Sequence, residues 1–401
     1  MDILSLYTQE LQAFVQDHLW DDPAHLLLKY AGRSHLDIKV AAAQIAARQK
    51  SANKLPEWSK NPSIIFPPSL SLEQCSSQAT ALYKAQLTHG QSFADLTGGF
   101  GVDTFYIGQH FKSIVYVEKQ NDLFHLASHN LKFLLPNQDI RLVNGDGIAY
   151  INKSDQRFDL VYADPARRGE GNQKLFELSL SEPDVVKHWG LLCNNANMVM
   201  IKASPMLDIH AAVRQLKGLS SIHVVAHKQE VKELLLIKDS RIKRTDPEIV
   251  VVELSRDNVS LFTFRLLDEK ESKPTTGPLE RFLIIPHPGI IKSGGFNTFG
   301  KRYELLKAHA NTQIYTSHKF PSSKIPGKVL EVISEIKLDR KHIRREFPDG
   351  LVNVIAKNHP LKAEACKKKF KLKDGGDDYL VLVTDSENRG RALKCQVAKQ
   401  D

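Results

Sequence analysis

Four acidic residues punctuate the middle of the chain, each at or just past the end of a short apolar run: Asp95, Glu118, Asp146 and Asp164. The first belongs to Phe93-Ala-Asp-Leu-Thr-Gly-Gly-Phe-Gly-Val-Asp103. There a strand ending in Asp95 runs into a turn holding Gly98, Gly99 and Gly101, and a helix is expected over Val102–His110. Glycines at such a turn permit positive φ and let a ligand approach the main chain, with the helix N-terminus facing it. Alone, the loop would suit a dinucleotide, a sulfonium cofactor or a tight turn with no ligand. Glu118 closes Ser113-Ile-Val-Tyr-Val-Glu118, where a carboxylate can accept from both hydroxyls of a ribose. NAD enzymes use the same device, so Glu118 points to a nucleoside without choosing one, unless it is an ordinary solvated strand-end glutamate. Asn144-Gly-Asp146-Gly sets a third carboxylate beside the same crevice, where an adenine amino group would sit. Asp159-Leu-Val-Tyr-Ala-Asp164-Pro-Ala-Arg167-Arg168 supplies the fourth. Dehydrogenases require neither of these two, and Gly99-Phe-Gly101-Val-Asp-Thr104 lacks the third glycine of the nicotinamide-binding pattern.

Four such residues share one edge only if parallel strands carry them. Residues 91–265 alternate β-branched runs with amphipathic segments, which is the texture of βαβ units. The expected strands are Ser92–Leu96, Ser113–Glu118, Ile140–Asn144, Phe158–Asp164, Asn197–Lys202, Ile222–Ala226, Glu233–Ile237 and Glu248–Leu254. The fold class is therefore α/β, a Rossmann-like doubly wound sheet over 91–267. Before it, residues 1–90 read as a helical region: Leu11, Phe14 and Val15 recur at helical spacing, Ile38–Lys50 is rich in helix formers, and Ser71–Leu87 resumes the pattern after Pro56, Pro62, Pro67 and Pro68. Asp268–Pro278 reads as a linker. After it, a C-terminal α+β domain over 279–401 is expected, with helices at Lys301–Ala310 and Gly327–Ile336 and strands at Val352–Lys357, Asp378–Thr384 and Arg391–Val397.

Over roughly residues 90–255 this spacing resembles the class I S-adenosylmethionine-dependent methyltransferases. The resemblance implies S-adenosyl-L-methionine as cofactor: Asp95, Thr97, Gly98, Gly99 and Gly101 around its methionine part, Glu118 on the ribose, Asp146, Gly147 and Ile148 framing the adenine, and Asp103 as a further cofactor-binding residue. Asp164 would open the catalytic loop. Over nearly the whole chain the sequence is similar to a family of such enzymes with a C-terminal THUMP-like domain. The matching stretches are Ser76-Ser-Gln-Ala-Thr80, Asp164-Pro-Ala-Arg-Arg168, Val231-Lys-Glu-Leu-Leu-Leu236 and Lys369-Phe-Lys-Leu-Lys-Asp-Gly-Gly-Asp-Asp378.

Methyl transfer from a sulfonium is an in-line displacement that depends on aiming the nucleophile at the methyl carbon. Asp-Pro-x-x loops resemble those of nucleic-acid amino methyltransferases, in which the Asp and the loop carbonyl accept from the target amine. This implies catalytic roles for Asp164, Pro165, Arg167 and Arg168. Arg167 stands where an aromatic residue usually stacks on a flipped base. An arginine can stack or grip a phosphate instead, or the two arginines can be ordinary surface residues. RNA uracil-5-methyltransferases share Asp-Pro-Pro-Arg but need a cysteine on the following strand. Met198-Val-Met-Ile-Lys202-Ala-Ser-Pro has none, and Cys193 reads as a small core residue.

Charge supplies a second clue. The net charge is +9, yet Arg281–Asp401 holds 24 Lys and Arg against 13 Asp and Glu, so the excess lies in the last third. Arg340-Lys-His-Ile-Arg344-Arg345 and Lys367-Lys368-Lys369-Phe-Lys371-Leu-Lys373 are its densest runs, the expected RNA contacts. Phe347 and Phe370 among them can stack on unpaired bases or anchor a core. The four cysteines form no C-x-x-C pair, and no metal site is expected. Met1–Trp20 carries Asp2, Glu10 and Asp17, an amphipathic helix pattern rather than a signal peptide, so a cytoplasmic protein without a membrane partner is expected. The expected activity is methylation of an RNA base amine. A methyltransferase for a small molecule or protein, or an idle RNA-binding protein, are the alternatives.

Overall fold

The structure, a computed structural model, describes residues 7–32, 34–67, 69–167, 177–255, 259–273 and 275–399. It divides into two compact units. One is built from the chain up to Ile222 together with Glu233–Thr245; the other from His223–Lys232, Asp246–Ser255 and the chain from Val259 onwards.

The first unit opens with six helices: α1 (Gln9–Asp17), α2 (Pro23–Tyr30), α3 (Ile38–Ser51), α4 (Pro56–Lys60), α5 (Ser69–Gln74) and α6 (Gln78–Gln86). Side chains of Thr8, Asp22, Asp37 and Ser77 accept backbone N–H groups at the starts of α1, α2, α3 and α6. The Ser77 cap is why the expected stretch Ser71–Leu87 is two helices. The proline-rich segment before α5 forms no ladder, so its carbonyls need donors. Buried Arg48 of α3 supplies them, donating to the carbonyls of Ser59, Asn61, Pro62 and Ile64.

Strand and helix then alternate: β1 (Ser92–Asp95), α7 (Val102–Gly108), β2 (Ser113–Glu118), α8 (Asn121–Leu134), β3 (Asp139–Asn144), α9 (Gly147–Lys153) and β4 (Phe158–Ala163). Two short strands, β5 (Ala166–Arg167) and β6 (Ser181–Glu182), pair with each other, and α10 (Trp189–Asn194), β7 (Ala196–Ala203) and α11 (Ile209–Gln215) follow. The parallel strands lie in the order β3-β2-β1-β4-β7. Winding reverses between β1 and β4, which opens a crevice at the carboxyl ends of the strands. After β8 (Ser221–His227), Lys228 and Gln229 both take positive φ, 54° and 62°, as a two-residue hairpin turn demands. The chain returns as β9 (Glu230–Asp239), antiparallel to β7.

In the second unit β10 (Glu248–Leu254) and β11 (Val259–Arg265) are antiparallel, and α12 (Leu266–Glu271) follows. Then come β12 (Phe282–Pro286), α13 (Pro288–Ser293), α14 (Phe296–Arg302), β13 (Leu306–Lys307), β14 (Tyr315–Ser317), β15 (Gly327–Glu335), α15 (Arg340–Glu346), β16 (Asn353–Lys357), α16 (Ala363–Phe370), β17 (Asp378–Thr384) and β18 (Gly390–Val397). Their sheet runs β13-β14-β12-β15-β18-β17-β16. Along β17, Leu380 and Leu382 enter one apolar cluster while Val381 and Val383 enter another. A period of two with all four residues buried means that both faces of this strand are covered.

Three expectations fail here. Gly327–Ile336 is no helix: Val329, Leu330 and Val332 sit in β15, between β12 and β18, and pairing on both sides overrides an ambiguous apolar pattern. Lys301–Ala310 is not one helix either. α14 stops at Arg302, Glu304 turns the chain at φ 54°, and β13 begins at Leu306. The linker expected at Asp268–Pro278 begins inside α12. Among the described residues no helix is long and apolar enough to cross a membrane.

Candidate active site

Strand register brings the four carboxylates together. Asp95, the last residue of β1, lies opposite Tyr116 on β2 and Tyr162 on β4. Glu118 and Asp164 stand two residues beyond those partners, so they flank the loop that leaves β1. Glu118 in turn lies opposite Asn144 of β3, and Asp146 stands two residues past that.

The loop is held by its neighbours. A Cβ on Gly98 would fall 2.0 Å from the Tyr116 ring, and one on Gly147 would fall 2.2 Å from the Leu96 carbonyl oxygen, so neither position admits a side chain. Gly99 and Gly101 take φ of 57° and 86°. The Tyr116 hydroxyl donates to the Gly99 carbonyl (2.6 Å). Gly99 N–H donates to Glu118 Oε2 (2.8 Å), and Gln120 N–H to Oε1 (2.7 Å). Glu118 is thus aimed by the backbone on both of its oxygens. Asp146 caps α9 through Oδ1, accepting from Ala149 N–H (2.8 Å), and is exposed; Ile148 beside it is half-buried.

Asp95 is buried; its oxygens accept from Thr97 N–H (3.0 Å) and the Thr104 hydroxyl (2.6 Å). Burial pushes its carboxyl up to about 7 from 3.8, against the downward pull of those two bonds. A folded-state value above the unfolded one means that stability falls as pH rises from about 4 to about 7. At 1.36 kcal/mol per unit the loss approaches about 4 kcal/mol. Asp95→Asn should therefore flatten thermal melts across that window and melt higher than the parent at pH 8. Parallel pH profiles of the two proteins would refute this.

Asp164 meets both the loop and the interior. Its N–H donates to Thr97 Oγ1 (2.6 Å), and its Oδ2 accepts from Lys202 Nζ of β7 (2.5 Å). Behind this pair lies a buried charge cluster. Lys84 of α6, fully buried, donates to both oxygens of Glu233 on β9 (2.8 and 3.0 Å) and to Ser76 Oγ (3.2 Å). Asp103 Oδ2 accepts from Ser76 Oγ and Tyr162 Oη, both 2.7 Å. Burial lowers the affinity of Lys202 for its proton, but the Asp164, Asp103 and Glu233 carboxylates outweigh it and hold the ammonium. Asp103, expected among the cofactor-binding residues, is turned into this cluster.

Of the expected catalytic residues, Asp164 and Pro165 stand at the crevice and Arg167 pairs through its backbone with Ser181, while Arg168 lies outside the described residues. Ser76, Lys84, Tyr162, Lys202 and Glu233 went unforeseen as site residues. One signal was present: Lys84 sits at helical spacing with Thr80, Ala81 and Thr88, a charge on a face of small, uncharged residues.

Two family models match residues 282–323, as a ferredoxin-like domain, and 327–397, as THUMP domain-like. The crystal structure of a candidate methyltransferase from Porphyromonas gingivalis W83 matches with a TM-score of 0.86 and 26% identity, over 97% of this chain and 98% of that one. This is a methyltransferase-fold protein with a THUMP-like C-terminal domain. A Pyrococcus abyssi tRNA (uracil-54, C5)-methyltransferase in complex with S-adenosyl-L-homocysteine matches at 18% identity and a TM-score of 0.31, over 44% of this chain and 40% of that chain, too loosely to carry an argument. No curated protein matches the chain.

Within the THUMP-like domain of this methyltransferase-fold protein, α15 and α16 pack on one apolar cluster through Ile343, Phe347, Cys366 and Phe370. Phe347 is a buried core residue, and Phe370 is partly buried. Arg344, Lys368, Lys369 and Lys371 are exposed, and no ion pair among the described residues holds them. Arg345 pairs with Glu346, and Lys367 with Glu364 and Asp374.

Proposed function

We propose that the protein is an S-adenosylmethionine-dependent methyltransferase acting on a base amine of RNA, with the exposed cations of α15 and α16 holding the RNA. The observation that carries this is the acceptor set at the strand ends. Glu118, Asp146 and Asp164 suit a ligand rich in donors and positive charge, with buried Asp95 bracing the loop behind them, and Asp103 in the first turn of α7 disfavours a pyrophosphate at that helix. Gly98 and Gly147 fit the same reading, since both keep the loop close to the sheet edge.

In this site Glu118 would take the ribose hydroxyls and Asp146 Oδ2 the adenine amine. Thr97, Gly99 and Gly101 would bound the methionine part, above Asp95, and Ile148 would lie against the base. Bound there, S-adenosylmethionine would supply an electrophilic methyl on sulfur; the C–S pair would stay with sulfur, the amine lone pair would take the carbon, and the amine would release a proton to solvent. Asp164 would accept from the amine through the oxygen that Lys202 leaves free, turning the lone pair toward the methyl. The Pro165 carbonyl would accept from the same amine. Arg167 and Arg168 would grip the nucleotide by stacking or by its phosphate.

The test is tritiated-methyl transfer to unmodified RNA, against a lysate cleared of nucleic acid, run on the parent and on a Lys368→Glu, Lys369→Glu, Lys371→Glu variant. Three reversed charges should lower RNA affinity at least about tenfold at low salt, with steep salt dependence in the parent. Transfer to the cleared lysate and not to RNA would favour a protein or small-molecule substrate instead.

A further inference from the structure

The buried cluster meets the crevice at the Asp164–Lys202 pair. Their side chains keep 35% and 15% of their surface, whereas Glu233 and Lys84 behind them keep 4% and 0%. Three carboxylates, Asp103, Glu233 and Asp164, face two ammoniums, Lys84 and Lys202. Lys84 is shared between the carboxylates: its hydrogen bonds go to Glu233 and Ser76, and buried Asp103 Oδ1, 3.2 Å away, has the charge contact but no donor. Lys54, a further cation near Lys202, donates to the carbonyls of Leu72 and Glu73 at 3.0 and 2.7 Å, and Asp95, beside Asp103 and Asp164, is a further carboxylate at pH 8; with both counted the excess is still one negative charge. Buried carboxylates that outnumber their cations repel one another at low dielectric, so the cluster gains from a cation arriving at its open end.

We propose that this excess negative charge, presented by Asp164 and moderated by Lys202, makes the crevice hold the sulfonium donor more tightly than the neutral thioether that remains after transfer. The proposal rests on the cofactor reading above and adds to it a means of product release. S-adenosylmethionine and S-adenosylhomocysteine differ by one methyl and one charge. Their affinity ratio therefore isolates the charge: a variant that merely loosens the fold weakens both ligands together and leaves the ratio unchanged. At an effective dielectric near 20, one unit charge several Å away shifts that ratio about tenfold or more.

Calorimetry on the full chain at pH 8 with each ligand measures it. Asp164→Asn should lower the ratio of donor to product affinity about tenfold, and Lys202→Met should raise it by a similar factor. The double variant Asp164→Asn/Lys202→Met, which removes one charge of each sign, should fall between Asp164→Asn and the parent, because Asp164 is the more exposed partner. Should either single variant fail to fold, Glu233→Gln removes one negative charge while its Oε1 still accepts from Lys84, and it too should lower the ratio. Equal ratios across the variants, or shifts of the same sign in Asp164→Asn and Lys202→Met, would overturn the proposal while leaving the cofactor reading intact. A parent protein that binds neither ligand would overturn the cofactor reading and this proposal with it.

Discussion

Asp164→Ala should reduce methyl transfer by about 10³-fold or more, while S-adenosylhomocysteine still binds within a few-fold of the parent affinity. The asymmetry follows from where the residue sits. Its backbone N–H, which alanine retains, is what ties the loop to Thr97 Oγ1 at 2.6 Å. Its carboxylate gives one oxygen to Lys202 and stays partly exposed at the crevice, where the proposed function puts the target amine. The side chain therefore contributes mainly to the geometry of reaction, where small misplacements cost large factors in rate. Single-turnover transfer and calorimetry on the same preparation check both halves. Full activity in the variant would remove Asp164 from the chemistry, and loss of product binding would make it a cofactor residue instead.

Lys84→Met should destabilise the first unit by about 3–5 kcal/mol, the usual cost of breaking a buried pair from one side. It strips Glu233 of the ammonium that serves both of its oxygens, and it removes the charge nearest Asp103. Burial already raises the affinity of Glu233 for a proton, with Lys84 and Lys202 opposing. Without Lys84 that affinity should rise further. A melting temperature lower by roughly 10 °C is expected. The double variant Lys84→Met/Glu233→Met should regain most of the loss, since an apolar pair of similar volume replaces an ion pair at little net cost. Equal destabilisation in single and double variants would mean that packing, not charge, fixes this part of the fold.

The placing of these carboxylates at the strand ends was legible because each is announced locally. Asp95 precedes a glycine turn, Glu118 and Asp164 close β-branched runs, and Asp146 sits between glycines. Strand ends are short-range features, and parallel strands deliver their ends to one edge. The cluster behind them was not legible, since Lys84 and Glu233 are 149 positions apart and meet only because α6 and β9 converge behind the crevice. β15 hid for a related reason. Gly-Lys-Val-Leu-Glu-Val-Ile-Ser-Glu over Gly327–Glu335 fits either period, and only the presence of β12 and β18 on its two sides makes it a strand.

Taken alone, the sequence determined the α/β alternation, the glycine turn and the excess of cations in the last third of the chain. These follow from residue periodicity and composition, which act over a few neighbours. Tertiary structure alone decided that Asp103 turns inward, that Lys202 holds Asp164, and that one more carboxylate than ammonium lies behind the crevice. Charge pairing in a buried site depends on which distant side chains share the same low-dielectric space, and no local pattern encodes that.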